Sequence, residues 1–308
     1  FVLLVKGADW FVEGAASIAR KLGIPQLIVG LTIVAMGTSL PETAVSVVAA
    51  IQHKNTLAIS NVVGSNIFNM MVVIGFCAIM TPVAVQKATL KRDFPYSVFA
   101  ALLLMILGGV GMKLGRFDSA VFLVFFAIFI GTMIRMALKA GKEGGHLQSE
   151  EIEAAEAQKV MSMPKSLLFL VVGVAGIVIG GDVVVDSASN IALKIGMSQT
   201  LVGLTIVSIG TSLPELVTSV VAARKNEVDM ALGNAIGSNI FNILFVLGLA
   251  GVISPMPFLM ENIIDIMILI VLSLLIWGFA WTKEKISRKE GIVMLVLYVV
   301  YVIYICMR

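Results

Sequence analysis

The sequence predicts an all-α integral membrane protein of ten transmembrane helices, built as two inverted five-helix repeats with helices broken at mid-membrane. Three observations predict it. The first is composition: 59% of residues are hydrophobic and 13% charged, with a mean hydropathy of +1.02, whereas soluble domains carry about a quarter charged residues. The second is repetition. GLTIVAMGTSLPETAVSVVAA (Gly30 to Ala50) returns as GLTIVSIGTSLPELVTSVVAA (Gly203 to Ala223), and NVVGSNIFN (Asn61 to Asn69) returns as NAIGSNIFN (Asn234 to Asn242). Both pairs keep an offset of 173 positions, as Gly30 to Gly203 shows. The third is the placement of Pro41 with Glu42, and of Pro214 with Glu215, deep inside apolar sequence.

About twenty apolar residues cross a bilayer. Breaks at loops and at Gly/Pro clusters give candidate spans over 1–19, 27–51, 57–80, 94–112, 118–138, 166–190, 199–223, 229–253, 262–281 and 290–307. A polar stretch from Lys139 to Lys165 separates them, so the halves read as 1–139 and 166–308 with a linker over 140–165. The repeat extends beyond its motifs: Asp9, Glu13 and Lys21 answer Asp182, Asp186 and Lys194. After a one-residue slip, Asp93, Arg116 and Asp118 answer Asp265, Arg288 and Glu290. Five spans per half is an odd number, so the second copy enters the membrane upside down relative to the first.

Basic residues set the orientation. Loops after odd-numbered spans hold Arg20, Lys21, Lys87, Lys91, Arg92, Lys139, Lys142, Lys159, Lys165, Arg224, Lys225, Lys283, Lys285, Arg288 and Lys289. The other side holds only Lys54, Lys113, Arg116, Lys194 and Arg308. By the positive-inside rule the linker is cytoplasmic and both termini face outward, in a plasma or inner membrane. No basic face suited to nucleic acid is present. Cys77 and Cys306 have no framework spacing and read as buried thiols. The chain opens on Phe1 inside an apolar run, which reads as a trimmed start.

Pro41 and Pro214 lack an amide hydrogen and crowd the preceding turn, so the second and seventh spans break there. A broken helix frees carbonyl oxygens near Thr38, Ser39, Thr211 and Ser212, which need a partner in lipid. Thr38 and Glu42 share a helical face, as do Thr211 and Glu215. In the next span Asn61, Ser65 and Asn69 recur at four-residue spacing, as do Asn234, Ser238 and Asn242, while Gly64 and Gly237 permit close helix packing. Facing these stripes gathers two carboxylates with hydroxyl, amide and carbonyl oxygens. All are hard donors, which disfavours zinc, copper and iron. Calcium takes about six to eight such oxygens at flexible geometry. Composition leaves sodium, magnesium and manganese open.

Asn66 and Asn239 lie off the stripe and read as helix braces, while Asn61 and Asn234 read either way. Asp9, Glu13, Asp182 and Asp186 read equally as vestibule lining or as solvated helix ends. His53 and His146 read as solvated loop residues, and Glu150, Glu151, Glu153 and Glu156 as a solvated helix face.

The doubled GTSLPE (Gly37 to Glu42, Gly210 to Glu215), each followed by GSNIFN (Gly64 to Asn69, Gly237 to Asn242), resembles the paired alpha repeats of the calcium/cation antiporter superfamily. The resemblance covers nearly the whole chain. It implies calcium export by alternating access, not an enzyme and with no cofactor beyond the transported ions. It also implies that the first and sixth spans slide past the ion-binding core. Carried over, it makes Glu42 and Glu215 shared calcium and counter-ion ligands. Thr38, Ser39, Thr211 and Ser212 supply oxygen, and Ser65, Asn69, Ser238 and Asn242 complete the site. Sodium-coupled members commonly carry aspartate where this chain has Asn242. With two carboxylates only, protons read ahead of sodium as the driving ion. A sodium/calcium exchanger with the same site is the alternative, and a calcium-permeable channel the alternative from another class. A membrane metalloenzyme finds no support, because the spans hold no nucleophile–base constellation or histidine pair.

Overall fold

The computed structural model describes residues 1–52, 56–143, 161–196 and 208–307. His53, Lys54, His146, Lys159, the acidic run Glu150 to Glu156 and the opening of the expected seventh span lie outside them.

Helix α1 (Val2–Leu22) ends at Gly23, whose φ of 63° supplies the left-handed turn, and Arg20 and Lys21 in its last turn suit the negative helix end. A bent pair follows, α2 (Gln26–Thr38) and α3 (Leu40–Ile51), meeting at 48°. Then come α4 (Ala58–Met80), β1 (Val83–Ala84), α5 (Thr89–Met112), β2 (Lys113–Leu114) and α6 (Arg116–Glu143). The second half holds α7 (Met163–Lys194), α8 (Ser208–Thr211), α9 (Leu213–Arg224), α10 (Val228–Ile253), β3 (Met256–Pro257), α11 (Met260–Lys283), β4 (Lys285–Ile286) and α12 (Arg288–Met307).

Among the described residues, 7 helices are long and apolar enough to cross a membrane, or 8 if the bent pair is one span. The sequence expects ten. Helix α1 is absent from that set because Lys6, Asp9 and Glu13 interrupt its apolar stretch, and the seventh span begins outside the described residues. Several helices outrun their expected ends, as α5 and α7 do, because polar residues continue a helix past the apolar stretch that marks it.

The core sits where the repeated motifs sit. Helices α4 and α10, which carry GSNIFN and its copy, are 83% and 78% buried, whereas α6 and α12 are 17% buried and face outward. Gly30, Gly233 and Gly237 make this possible at the α2–α10 crossing: a Cβ on Gly237 would stand 2.6 Å from the Leu31 carbonyl oxygen. Backbones in such contact leave no room for a side chain. Helices α1 and α7 form a second close pair, with Gly7 against Gly173 and Ile177, and Gly14 against Ser166.

Two short ribbons tie the halves together. Val83 pairs with Ile286 in β1–β4, and Lys113 with Pro257 in β2–β3. In the repeat β1 corresponds to β3 and β2 to β4, so each ribbon joins non-equivalent strands from opposite halves. Helix α5 separates β1 from β2 by 24 residues, about 36 Å of helix. Equivalent strands β1 and β3 therefore lie at opposite ends of the bundle. Equivalent side chains repeat the exchange: Arg116 donates to the Val252 carbonyl and Arg288 to the Met80 carbonyl.

Candidate ion-binding site

The local backbone of both motifs follows from the proline. Ser39 leaves the helical region (φ −86°, ψ 15°), and Ser212 does the same (φ −91°, ψ 5°). The chain then restarts as α3 and α9 with proline in the first turn and Glu42 or Glu215 beside it. An acid in the first turn lies at the positive end of the helix dipole. The freed carbonyls differ from the expectation. Ser39 O accepts from the Thr43 amide at 3.1 Å and hydroxyl at 2.8 Å, and Ser212 O accepts from the Leu216 amide at 3.2 Å. The carbonyls that lose their helical donor to proline are those of Gly37 and Gly210, four residues earlier.

Glu42 and Glu215 are both fully buried, and each is bound by the serine of the other half. Ser39 Oγ donates to Glu215 Oε1 at 2.8 Å, and Ser212 Oγ donates to Glu42 Oε1 at 3.1 Å. Ser65 Oγ adds a contact to Glu42 Oε1 at 3.3 Å. Ser238 stands at the equivalent position, with its hydroxyl 3.5 Å from the Ala35 carbonyl. The threonines also cross between halves: Thr38 Oγ1 donates to Asn234 Oδ1 at 3.1 Å, and Thr211 Oγ1 to Asn61 Oδ1 at 3.4 Å.

The remaining oxygens define the site's chemistry. Glu42 Oε2, Glu215 Oε2, Asn242 Oδ1 and both amide atoms of Asn69 are buried with no hydrogen-bond partner among the described residues. A buried carboxylate oxygen without a donor is costly. A desolvated cation would satisfy such an oxygen, and the amide oxygens of Asn69 and Asn242 are of the same hard type. Asn242 Nδ2 is held by Asn66 Oδ1 at 3.2 Å, leaving its oxygen as the free end. Among the described residues no cluster of three or more His, Cys, Asp or Glu is present. Two carboxylates with hydroxyl and amide oxygens match an alkali or alkaline-earth cation and not a tightly held transition metal.

The structure thus brings all ten expected ligands into one buried zone: Thr38, Ser39, Glu42, Ser65, Asn69, Thr211, Ser212, Glu215, Ser238 and Asn242. It separates them by role. Thr38 and Thr211 are engaged with asparagines, while Ser39 and Ser212 hold the acids. Asn66 and Asn239 exchange Nδ2-to-carbonyl bonds at 3.1 Å in both directions, bracing α4 against α10. Asn61 and Asn234 are supports as well. Asn234 Nδ2 reaches Ser219 Oγ at 2.8 Å, and Asn61 Nδ2 reaches Ser46 Oγ at 3.2 Å. The sequence reading missed Ser46 and Ser219, although each lies one helical turn after its glutamate at the same offset. It also missed the wide π-turns that begin at Asn69 and Asn242. Such turns recur at functional sites and carry no residue signature.

The four outlying acids part company. Asp182 and Asp186 line a cavity of about 330 Å³ with Pro41, Val45, Thr211 and Pro214. Their counterparts Asp9 and Glu13 are instead paired with Lys225, at 2.8 and 3.5 Å.

Known proteins are similar to this chain over nearly its whole length. The profile of the sodium/calcium exchanger protein family matches residues 1–135 and 165–307. The chain is 40% identical to the putative antiporter CaxA of Alkalimonas amylolytica, over 97% of this chain and 93% of that protein. It is 34% identical to the sodium/calcium exchanger MaX1 of Methanosarcina acetivorans, over 97% and 94%. A solved structure of the sodium-calcium exchanger NCX_Mj, soaked with 2.5 mM Na+ and 0.1 mM Ca2+, superposes with a TM-score of 0.82 at 34% identity, over 97% of this chain and 93% of that one. Matched across both halves, the chain belongs to the sodium/calcium exchanger protein family.

Proposed function

We propose that this protein is a secondary antiporter that moves Ca2+ against a monovalent cation by alternating access at the Glu42–Glu215 centre. The observation that carries the reading is the set of buried, partnerless oxygens on Glu42, Glu215, Asn69 and Asn242. Both acids bind Ca2+ when ionised, and two charges balance two charges. A monovalent cation arriving from the other side competes for the same oxygens, so the two fluxes are coupled by exclusion.

Sodium is the proposed driver. Its support is the likeness to proteins named sodium/calcium exchangers over nearly their full length. The sequence puts protons first, and one observation still favours them. With amides at Asn69 and Asn242 the described centre holds two carboxylates, and two protons neutralise it fully.

The remaining parts of the reading concern placement. Ten spans in two inverted sets of five are supported by the exchange of β1–β4 for β2–β3 at opposite ends of the bundle. The excess of basic residues after odd-numbered spans supports a plasma or inner membrane with the linker cytoplasmic and both termini outside. Export of Ca2+ follows if the sodium gradient points inward.

Flux in proteoliposomes tests the exchange and its driving ion. Ca2+ uptake driven by an imposed sodium gradient, silent under a pH gradient, supports sodium exchange; the converse supports protons. Currents that need no counter-ion point to a channel and overturn the antiporter.

A further inference from the structure

We propose that Lys225 is the latch that closes the passage from the site to the α1–α9 end of the bundle, and that Thr218 lines the passage it closes. The proposal rests on the alternating-access reading above.

The argument begins with the repeat offset. The open cavity is lined by Asp182, Asp186, Val45 and Thr211, among others. Moved by 173 positions, these become Asp9, Glu13, Thr218 and Thr38. An inverted repeat that opens one passage with the first set opens the opposite passage with the second. In this structure the second set is closed at Thr218 and Thr38, with Asp9 and Glu13 partly exposed. Val45 is 38% exposed, whereas Thr218 is fully buried. Thr218 Oγ1 has no hydrogen-bond partner among the described residues, which suits a hydroxyl that meets water only in another conformation. Ala8 and Val12, counterparts of the cavity residues Gly181 and Val185, are also fully buried.

What holds the second passage shut is not repeated on the first. Lys225 follows the last turn of α9, near its carbonyl end. Its ammonium reaches Asp9 Oδ1 at 2.8 Å, the Asp9 carbonyl at 3.3 Å and Glu13 Oε2 at 3.5 Å. The counterpart of Lys225 is Gln52, which carries no charge for Asp182 and Asp186. Arg20 and Glu227 form a second bond between α1 and the start of α10 at 2.7 Å, and the residue equivalent to Arg20 is Leu193. Among the described residues, charge thus secures one end only. A tethered ammonium sits on Asp9 and Glu13, whereas Asp182 and Asp186 have no described basic partner and line the cavity. Opening the latched end requires α1 to leave Lys225, which exposes Asp9 and Glu13 to cations on that side.

The test uses the full chain in inverted and in right-side-out membrane vesicles, with Cys77 and Cys306 replaced by serine. Thr218→Cys and Val45→Cys are labelled separately with a membrane-impermeant thiol reagent, that end of the bundle facing the medium for Thr218→Cys and the opposite end for Val45→Cys. Lys225→Met is expected to speed labelling of Thr218→Cys about fivefold, the size of one partly exposed ion pair, and to slow that of Val45→Cys. Lys225→Arg keeps the pair and is expected to match the parent. Asp9→Asn with Glu13→Gln is expected to reproduce Lys225→Met, with no further gain when all three are combined. Equal labelling in every background, or faster labelling with Lys225→Arg than with Lys225→Met, overturns the latch. Calcium exchange is measured on the same vesicles. Exchange by the parent with unchanged labelling removes the latch alone, whereas no exchange by the parent under any imposed gradient removes the carrier reading beneath it.

Discussion

The two LPE turns are near-copies at the centre and unlike at the mouth. Around Glu42 and Glu215 the serines of the two LPE turns do the same work: each binds one oxygen of the opposite half's carboxylate, and no described residue binds the other oxygen. Away from the centre the likeness fails. Beside Pro41 the acids of α7 face a cavity, and beyond Glu215 those of α1 are bound to Lys225. The difference teaches how one fold serves two sides. The ion is shared, so the ligands from both halves must be alike. In the proposed carrier the passages never open together, and their described closures differ.

Substitutions at the centre test that likeness with the largest effect. Glu42→Gln and Glu215→Gln are each expected to cut gradient-driven Ca2+ uptake by about a hundredfold or more, since each removes one of two buried charges that the ion needs. Unequal losses, with one variant near normal, break the claim that the acids act as a pair. Next, Ser39→Ala and Ser212→Ala each delete a hydroxyl bond to a carboxylate, and the Ca2+ concentration for half-maximal uptake is expected to rise about tenfold. Since each serine serves the other half's acid, Ser39→Ala with Glu215→Gln is expected to be no worse than Glu215→Gln alone.

The helix braces sharpen the comparison through stability. Asn66 and Asn239 exchange equal bonds, but Asn66 also holds Asn242. Thermal unfolding in detergent is therefore expected to show a loss of about 1–2 kcal/mol for Asn239→Ala, and a larger one for Asn66→Ala. The smallest effect belongs to the mouths. Asp182→Asn with Asp186→Asn is expected to weaken Ca2+ capture from the open side about twofold at physiological salt, where screening limits exposed charge. Asp9→Asn with Glu13→Gln is expected to leave capture from that side no weaker. Side-specific uptake in oriented vesicles separates the two.

Much of the site was legible before any coordinates. The doubled glutamates, the hydroxyls four residues before them and the asparagine stripes mark polar oxygen at a depth where it is costly. Repetition turned each weak motif into a paired one. The bracing role of Asn66 and Asn239 followed from their place off the stripe. Other features left no trace in local pattern. The π-turns at Asn69 and Asn242 depend on packing, because their residues are ordinary helix formers. Helix α1 reads as a span by its apolar ends, and two of its three internal charges, Asp9 and Glu13, are met by Lys225 from a segment over two hundred positions away.

Sequence alone determined the membrane class, the internal repeat and the chemistry of the ligands, because hydropathy, spacing and donor type are properties of residues in order. Tertiary structure decided which serine meets which acid, which oxygens stay unpartnered and which passage is open. Those depend on two distant halves meeting in one orientation, and a contact between residues far apart in the chain has no local signature to read.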